Sequence, residues 1–140
     1  MRTLAFVLLA AGALGAQESE KKKVMCTLPV LKAIADDLSG GAFDVTALSK
    51  PDQDPHSVSP TPALMKKLRE AELFIEIGLQ LELWADEVAN GSANPRISKG
   101  APGRLVASAG VSREEVPAGV DRKIGDVQPQ GNPHICLGPP

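Results

Sequence analysis

Histidine and aromatic side chains are scarce in this sequence of 140 residues, which contains two histidines, one tryptophan, three phenylalanines and no tyrosine. An excess of charge of one sign is also lacking, because 15 Lys and Arg residues stand against 17 Asp and Glu residues. The net charge of −2 is too small and too mixed to indicate a nucleic-acid partner, and we expect none. The two histidines are then the residues that most need an explanation.

The N-terminus has the layout of a secretory signal peptide. A positive start at Met1–Arg2 precedes an apolar run at 4–10, and the segment 11–16 is rich in small residues. The apolar run is too short to span a bilayer as a stable helix. We predict cleavage after Ala16, with Ala13 as the alternative.

Three segments follow from that cleavage. Residues 1–16 are the signal peptide, 17–22 are a charged spacer, and 23–140 are long enough for one compact domain. Gln17 occupies the place of the cysteine that a lipoprotein would acylate, so no lipid anchor is expected. The mature protein is therefore expected to be soluble in the periplasm, with no membrane span.

The two cysteines, Cys26 and Cys136, have two interpretations. An oxidising compartment permits a disulfide between them. Cys26, however, lies in an apolar run that is typical of a buried strand, where a free cysteine behaves as a small hydrophobe. The sequence favours the free thiol but does not decide the pairing.

Hydrophobic periodicity alternates between strand and helix along the chain. It predicts strands at 23–27, 43–47, 73–77 and 104–108. It predicts helices from Pro29 to the Gly40–Gly41 pair, from the Thr61–Pro62 cap to Ala71, and from Leu81 to Asn90–Gly91. Strands separated by helices of this length indicate βαβ units, and hence an α/β lobe with a mostly parallel four-stranded sheet flanked by helices. From Ser108 to Gln130 the pattern fails, which predicts a long loop.

Each histidine directly follows a proline in a short loop: Pro55–His56 and Pro133–His134. Proline fixes its own φ and restricts its neighbour, so the chain is stiff at the residue that would bind a metal ion. Neutral imidazole is the commonest nitrogen ligand for transition metals. We therefore predict that His56 and His134 share one metal ion between two loops at the carboxyl edge of the sheet. The alternative is that both are ordinary surface histidines.

Three further side chains near these loops are weaker candidates. Cys136 follows His134 by two residues, and thiolates are strong metal ligands, but an inert residue in a frayed tail is the simpler interpretation. Asp52 and Asp54 precede His56, yet a solvated carboxylate beside a turn is the commoner case.

The segment from Ser49 to Leu83 resembles the zinc/manganese-type solute-binding proteins of bacterial ABC importers. The resemblance rests on four stretches, which are Asp54-Pro-His56, Pro60-Thr-Pro62, Ala71-Glu-Leu-Phe-Ile-Glu-Ile-Gly-Leu79 and Glu82-Leu-Trp84. Gly131-Asn-Pro-His134 resembles the family's second ligand motif. The resemblance covers most of 23–137.

This resemblance implies a two-lobed α/β protein whose first lobe contributes two histidine ligands, here His56 and His134. It implies that a second lobe supplies the remaining ligands across a long linking helix. The cargo it implies is zinc, with manganese as the alternative, and the partner is an ABC permease in the inner membrane that receives the ion.

The sequence also departs from the family pattern. Gly138 stands where relatives have an aspartate, Cys136 replaces a bulky aromatic residue, and Gln128 stands where relatives often have a histidine. No linking helix or second lobe follows His134, so residues 23–140 are interpreted as the first lobe of a carrier, either a fragment or a truncated gene product.

Three functions therefore compete. The first is the metal-binding component of an ABC importer, which is not an enzyme. The second is a metal-independent surface or adhesion protein. The third is a metalloenzyme with two histidine ligands, which would need a general base and a third ligand that no His-Glu-x-x-His cluster supplies here.

Overall fold

The computed structural model describes residues 20–111 and 131–133. These residues contain four strands, which are β1 (Lys23–Cys26), β2 (Asp44–Ala47), β3 (Leu73–Glu76) and β4 (Arg104–Val106). Three α-helices lie between them, namely α1 (Pro29–Ser39), α2 (Pro62–Leu68) and α3 (Trp84–Gly91). Single 3-10 turns occur at Pro55–Ser57 and Pro95–Ile97.

The four strands form one sheet in the order β2-β1-β3-β4, and every pairing is parallel. Val24 of β1 pairs with Val45 on one side and with Leu73 on the other. From β1 the chain crosses to the edge strand β2, whereas from β3 it crosses to the opposite edge, β4. The connections diverge between β1 and β3, which is where parallel sheets commonly bind ligands, beyond the carboxyl ends of the strands.

Alternate residues of each strand face opposite layers of the core. In β1, Val24 and Cys26 pack with Leu31 of α1, whereas Met25 belongs to the layer that contains α2 and α3. Leu68 and Phe74 are fully buried in this second layer. The sheet therefore carries α1 on one face and α2 with α3 on the other.

The predicted α/β class is confirmed, and several element boundaries agree with the sequence signals. Helix α1 begins at Pro29 and is capped by Gly40, which has a left-handed φ of 54° and donates its N–H to the Asp37 carbonyl. Helix α2 begins at Pro62, and the Thr61 hydroxyl accepts a hydrogen bond from the Leu64 N–H at 3.4 Å.

Other boundaries differ from the predictions. Helix α3 begins at Trp84 rather than Leu81. Residues 79–83 form turns instead, and the first two of them, Leu79 and Gln80, have left-handed φ values of 53° and 67°. Helix α2 ends at Leu68, so Ala71 is buried outside it. Strand β4 ends at Val106, two residues earlier than the pattern indicated.

Several predicted features lie outside the described residues. They are the signal peptide at 1–16, the start of the spacer at 17–19, most of the long loop, His134, Cys136 and Gly138. Within 20–111 and 131–133, no helix combines the length and the apolar character needed to cross a membrane.

Candidate metal site

His56 lies in the 3-10 turn Pro55–Ser57, in the connection that follows β2. Asp54 caps this turn with both of its carboxylate oxygens. Oδ1 accepts a hydrogen bond from the His56 backbone N–H at 2.9 Å, and Oδ2 accepts one from the Ser57 hydroxyl at 2.8 Å. Pro55 is the first residue of the turn, where a missing backbone donor costs nothing.

These two hydrogen bonds identify Asp54 as the cap of the turn. The His56 N–H, followed by the Ser57 hydroxyl, lowers the pKa of the exposed Asp54 carboxyl below its ordinary value. Because the hydrogen bonds favour the ionised form, Asp54 is a carboxylate at neutral pH. One oxygen holds the loop backbone and the other holds the Ser57 hydroxyl, so capping the turn is the observed role of Asp54.

The same turn is joined to α3 by a long-range hydrogen bond. The indole Nε1 of Trp84 donates to the carbonyl oxygen of Pro55 at 2.8 Å, across 29 positions of sequence. The Trp84 side chain is buried in the core layer that also contains Val58, two residues beyond His56. The turn is thus held by the core on both sides of His56.

The start of the His56 loop is tied to the end of β1. Ser49 donates to the Thr27 carbonyl through its backbone N–H at 3.0 Å and through its hydroxyl at 2.8 Å. Both residues are buried. The loop therefore leaves the sheet from a fixed point at the carboxyl edge.

Glu82 is a buried carboxyl group at the same edge, next to the point where the connections diverge. It accepts hydrogen bonds from the Thr27 hydroxyl at 2.7 Å, the Ile77 N–H at 2.9 Å and the Gly78 N–H at 3.1 Å. Burial raises the pKa of Glu82 above its ordinary value, and these three hydrogen bonds oppose the rise. Glu82 fastens the loop after β3 to the end of β1.

A cleft of about 330 Å³ lies beside β4, and a charged network lines it. Nη2 of Arg104 is 2.8 Å from a Glu76 oxygen and 2.7 Å from an Asp86 oxygen, and the guanidinium lies 5.4 Å from the centre of the Phe74 ring. Nη1 of Arg104 is buried and has no hydrogen-bond partner among the described residues. Both carboxylates pair with this one cation, so the network ties β4 to β3 and α3.

Cys26 is a free, fully buried cysteine in β1. Burial raises the pKa of its thiol to about 11, because the apolar surroundings disfavour the thiolate. The thiol is therefore protonated at neutral pH and is a poor metal ligand. The prediction of a buried strand cysteine is confirmed, while Cys136 lies outside the described residues.

The second predicted ligand, His134, also lies outside the described residues. The loop before it is described at 131–133, where Gly131 has a φ of 101° and both Gly131 and Pro133 are buried. Among the residues that the structure does describe, no three His, Cys, Asp or Glu side chains are grouped so that they could hold a metal ion.

Sequence reasoning missed two residues that shape this site, Trp84 and Glu82. Both residues belong to a stretch that carries the family resemblance, but no local signal indicates the hydrogen bond from Trp84 to Pro55, 29 residues away. For Glu82 a signal does exist, because a charged residue between Leu81 and Leu83 interrupts an apolar stretch after a strand. A buried carboxyl group requires donors, which the exposed backbone N–H groups of a strand end provide.

Residues 24–140 match the family model described as zinc-uptake complex component A, periplasmic (ZnuA). Two curated relatives match part of the chain at 30% identity. The manganese ABC transporter substrate-binding lipoprotein PsaA of Streptococcus anginosus matches over 82 residues, which is 59% of this chain and 26% of that protein. The iron-binding protein YfeA of Yersinia pestis matches over 69 residues, which is 49% of this chain and 22% of that protein.

Solved structures give the same similarity at the level of the fold. A crystal structure of ZnuA is 25% identical with a TM-score of 0.62, over 84% of this chain and 40% of that one. A Mn-bound periplasmic metal binding protein from Candidatus Liberibacter asiaticus is 24% identical with a TM-score of 0.61, over 81% and 38%. The chain spans about a quarter of the length of the two curated relatives, PsaA and YfeA.

Proposed function

The chain belongs to the family of periplasmic zinc-uptake component A proteins, and from this membership we propose that it is the metal-capturing lobe of an ABC importer's substrate-binding protein. In this proposal His56 and His134 bind one divalent ion in the periplasm. A membrane permease of the ABC type then receives the ion. The protein carries out no covalent chemistry of its own, so it is a binding protein and not an enzyme.

The observation that carries the proposal is the restraint on the His56 turn. Asp54 holds the His56 N–H, and Trp84 holds the carbonyl oxygen of Pro55. A ligand that is already held in place loses less conformational entropy when a metal ion binds. The restraint on the Pro55–His56 peptide unit is therefore the feature of this turn that supports a metal-binding role for His56.

His134 is the proposed second ligand. It lies within the family match at 24–140, and buried Pro133 directly precedes it. A buried proline stiffens the chain before His134 in the same way that Pro55 does before His56. Two imidazole ligands from separate loops would let the ion join those loops when it binds.

Zinc is the proposed cargo, with manganese as the alternative. Imidazole suits zinc well, whereas manganese prefers a larger share of oxygen ligands. The similar proteins are named for zinc, manganese or iron, so family membership alone does not select the ion. Within this lobe, two nitrogen ligands and a capped Asp54 favour zinc.

Two histidines leave part of the coordination shell to other donors. Zinc commonly takes about four ligands, with Zn–N distances of roughly 2.0–2.1 Å. The Cys26 thiol is buried and protonated, and the Asp54 oxygens are bonded to the turn. In this lobe, water completes the shell. In a whole carrier, we propose that the remainder of the protein completes it.

Zinc titration of the 140-residue chain against a chelator of known affinity tests the proposal. The expected result is one zinc per chain, with binding lost or weakened at least about tenfold in His56→Ala. Asp52→Ala is the matched control, because Asp52 is an exposed residue of the same loop and is not one of the two proposed ligands. The zinc affinity of this variant should equal that of the unmodified protein. Equal binding by the unmodified protein and His56→Ala would refute the proposal.

A further inference from the structure

Trp84 is the one tryptophan of the chain, and its indole is buried at the first position of α3. Burial in an apolar core requires only an apolar side chain, and phenylalanine or leucine would serve that purpose. The indole N–H needs a partner when it is buried, and its partner is the Pro55 carbonyl oxygen at 2.8 Å. The hydrogen bond therefore adds a directional contact that packing alone does not supply.

The carbonyl of Pro55 belongs to the peptide unit that links Pro55 to His56. This unit is planar, so its carbonyl oxygen and its N–H move as one rigid body. Trp84 holds the oxygen at one end, and Asp54 holds the N–H at the other end with a 2.9 Å hydrogen bond. The peptide unit that precedes the His56 Cα is therefore restrained within the turn by Asp54 and relative to α3 by Trp84.

The two hydrogen bonds differ in what they hold. Asp54 is exposed and only two residues from His56, so its bond shapes the turn locally. Trp84 belongs to the buried layer of α3, together with Ala85 and Val88, so its bond sets where the turn lies on the fold. A well-formed turn at the wrong place would still present His56 incorrectly to a second loop.

We infer that Trp84 is a positioning residue for His56, acting through the hydrogen bond from its indole N–H to the Pro55 carbonyl. The inference rests on the proposed function of His56 as a metal ligand. Trp84 does not touch the ion. Trp84 lowers the entropic cost of metal binding, because the turn is already in position before the ion arrives.

Because the chain has a single tryptophan, the N–H can be removed throughout the protein without touching any other residue. Biosynthetic replacement by benzothienylalanine exchanges the indole N–H for sulfur and keeps the bicyclic ring. Replacement by a fluorotryptophan keeps the N–H and is the rescue control. Val88→Ala is the control for core stability, because Val88 is fully buried in the same helix and the same core layer.

Zinc affinity is then measured for the four proteins with a competing chelator, and circular dichroism establishes that each is folded. Loss of one hydrogen bond should weaken zinc binding about two- to twelvefold in the sulfur analogue. The fluorotryptophan protein should bind as the unmodified protein does. Val88→Ala should unfold at a lower temperature and keep the unmodified affinity.

A metal-free spectroscopic measurement tests the hydrogen bond itself. In the unmodified protein the single indole N–H should exchange slowly with solvent. In the sulfur analogue, the amide signals of His56 and Ser57 should broaden or shift without any zinc present.

Equal zinc affinity in the sulfur analogue and the unmodified protein would overturn the positioning role and leave the proposed function standing. An equal loss of affinity in Val88→Ala would also overturn it, because general destabilisation would then explain the effect. Failure of the unmodified protein to bind zinc at all would overturn the proposed function, and the positioning role with it.

Discussion

The indole nitrogen of Trp84 and the carbonyl oxygen of Pro55 are 2.8 Å apart, although the two residues are separated by 29 positions in the sequence. This hydrogen bond connects the helix after β3 with the turn after β2, two segments that leave the same edge of the sheet. Asp54 completes the restraint from the other side of the Pro55–His56 peptide unit. The candidate ligand His56 is therefore held by the fold as well as by its own loop.

Removal of the Asp54 cap should weaken metal binding without large loss of stability. In Asp54→Ala, the His56 N–H and the Ser57 hydroxyl lose their acceptors, so the turn becomes less ordered. Zinc affinity should fall roughly three- to tenfold. Chelator competition measures the affinity, and thermal unfolding measures the stability.

Thr61→Ala is the matched control for Asp54→Ala, because it also removes an N-terminal cap, that of α2. It should lower the free energy of unfolding by about 1 kcal/mol and leave zinc affinity unchanged. If the two variants lost zinc affinity equally, the Asp54 cap would have no particular connection with the metal site.

Glu82 should make stability depend on pH in a direction opposite to that of most carboxyl groups. Because burial raises its pKa in the folded protein, the folded state holds the proton more tightly than the unfolded state does. Its contribution to the free energy of unfolding is therefore largest below its ordinary pKa and decreases as pH rises through the raised value. Glu82→Gln cannot titrate, so the stability advantage of the unmodified protein over this variant should shrink as pH rises from the ordinary glutamate pKa of about 4.3 through the raised pKa.

Urea unfolding of both proteins across that pH range measures the advantage. An advantage that grows with pH would contradict the prediction. It would mean that the hydrogen bonds from Thr27, Ile77 and Gly78 stabilise the ionised form by more than burial destabilises it.

Replacing one member of the Arg104–Glu76 ion pair should lower the free energy of unfolding more than replacing both members does. The Arg104 side chain is 4% exposed and the Glu76 side chain 11% exposed, so either charge left alone would be poorly solvated. Arg104→Met should lower the free energy of unfolding by about 3–5 kcal/mol. The double variant Arg104→Met, Glu76→Gln should recover a substantial part of that loss.

Urea unfolding of the two single variants and the double variant gives the coupling energy. Additive losses would show that the pair is not coupled. Asp86→Asn is the control, because Asp86 contacts the same guanidinium but its side chain is 49% exposed, and its loss should cost no more than about 1 kcal/mol.

The sequence predicted most of the fold because its signals are local. Pro29 and Gly40 mark the ends of α1, and Thr61 with Pro62 marks the start of α2. The predicted start of α3, Leu81, lies three residues before the observed start, Trp84. The apolar spacing includes Leu81, whereas the backbone forms turns from residue 79 to residue 83. Leu79 and Gln80 adopt left-handed conformations there, in a loop that Glu82 holds in place.

The candidate site was less predictable than the fold. The Pro55–His56 step is visible in the sequence, and it indicated a stiff ligand loop. The contact that places this loop comes from Trp84, and its partner depends on the strand order β2-β1-β3, which no local pattern specifies. The shared site of His56 and His134 stays a prediction, because His134 lies outside the described residues.

The central claim is that His56 and His134 bind the same ion, and a double-mutant cycle in zinc affinity tests it most directly. If the claim holds, His56→Ala and His134→Ala each remove most of the measurable affinity, and the double variant is little worse than either single variant. The second substitution adds little because the first already destroys the shared site. If the two losses were instead independent and additive, the histidines would bind metal separately, and the account of one site between two loops would be contradicted.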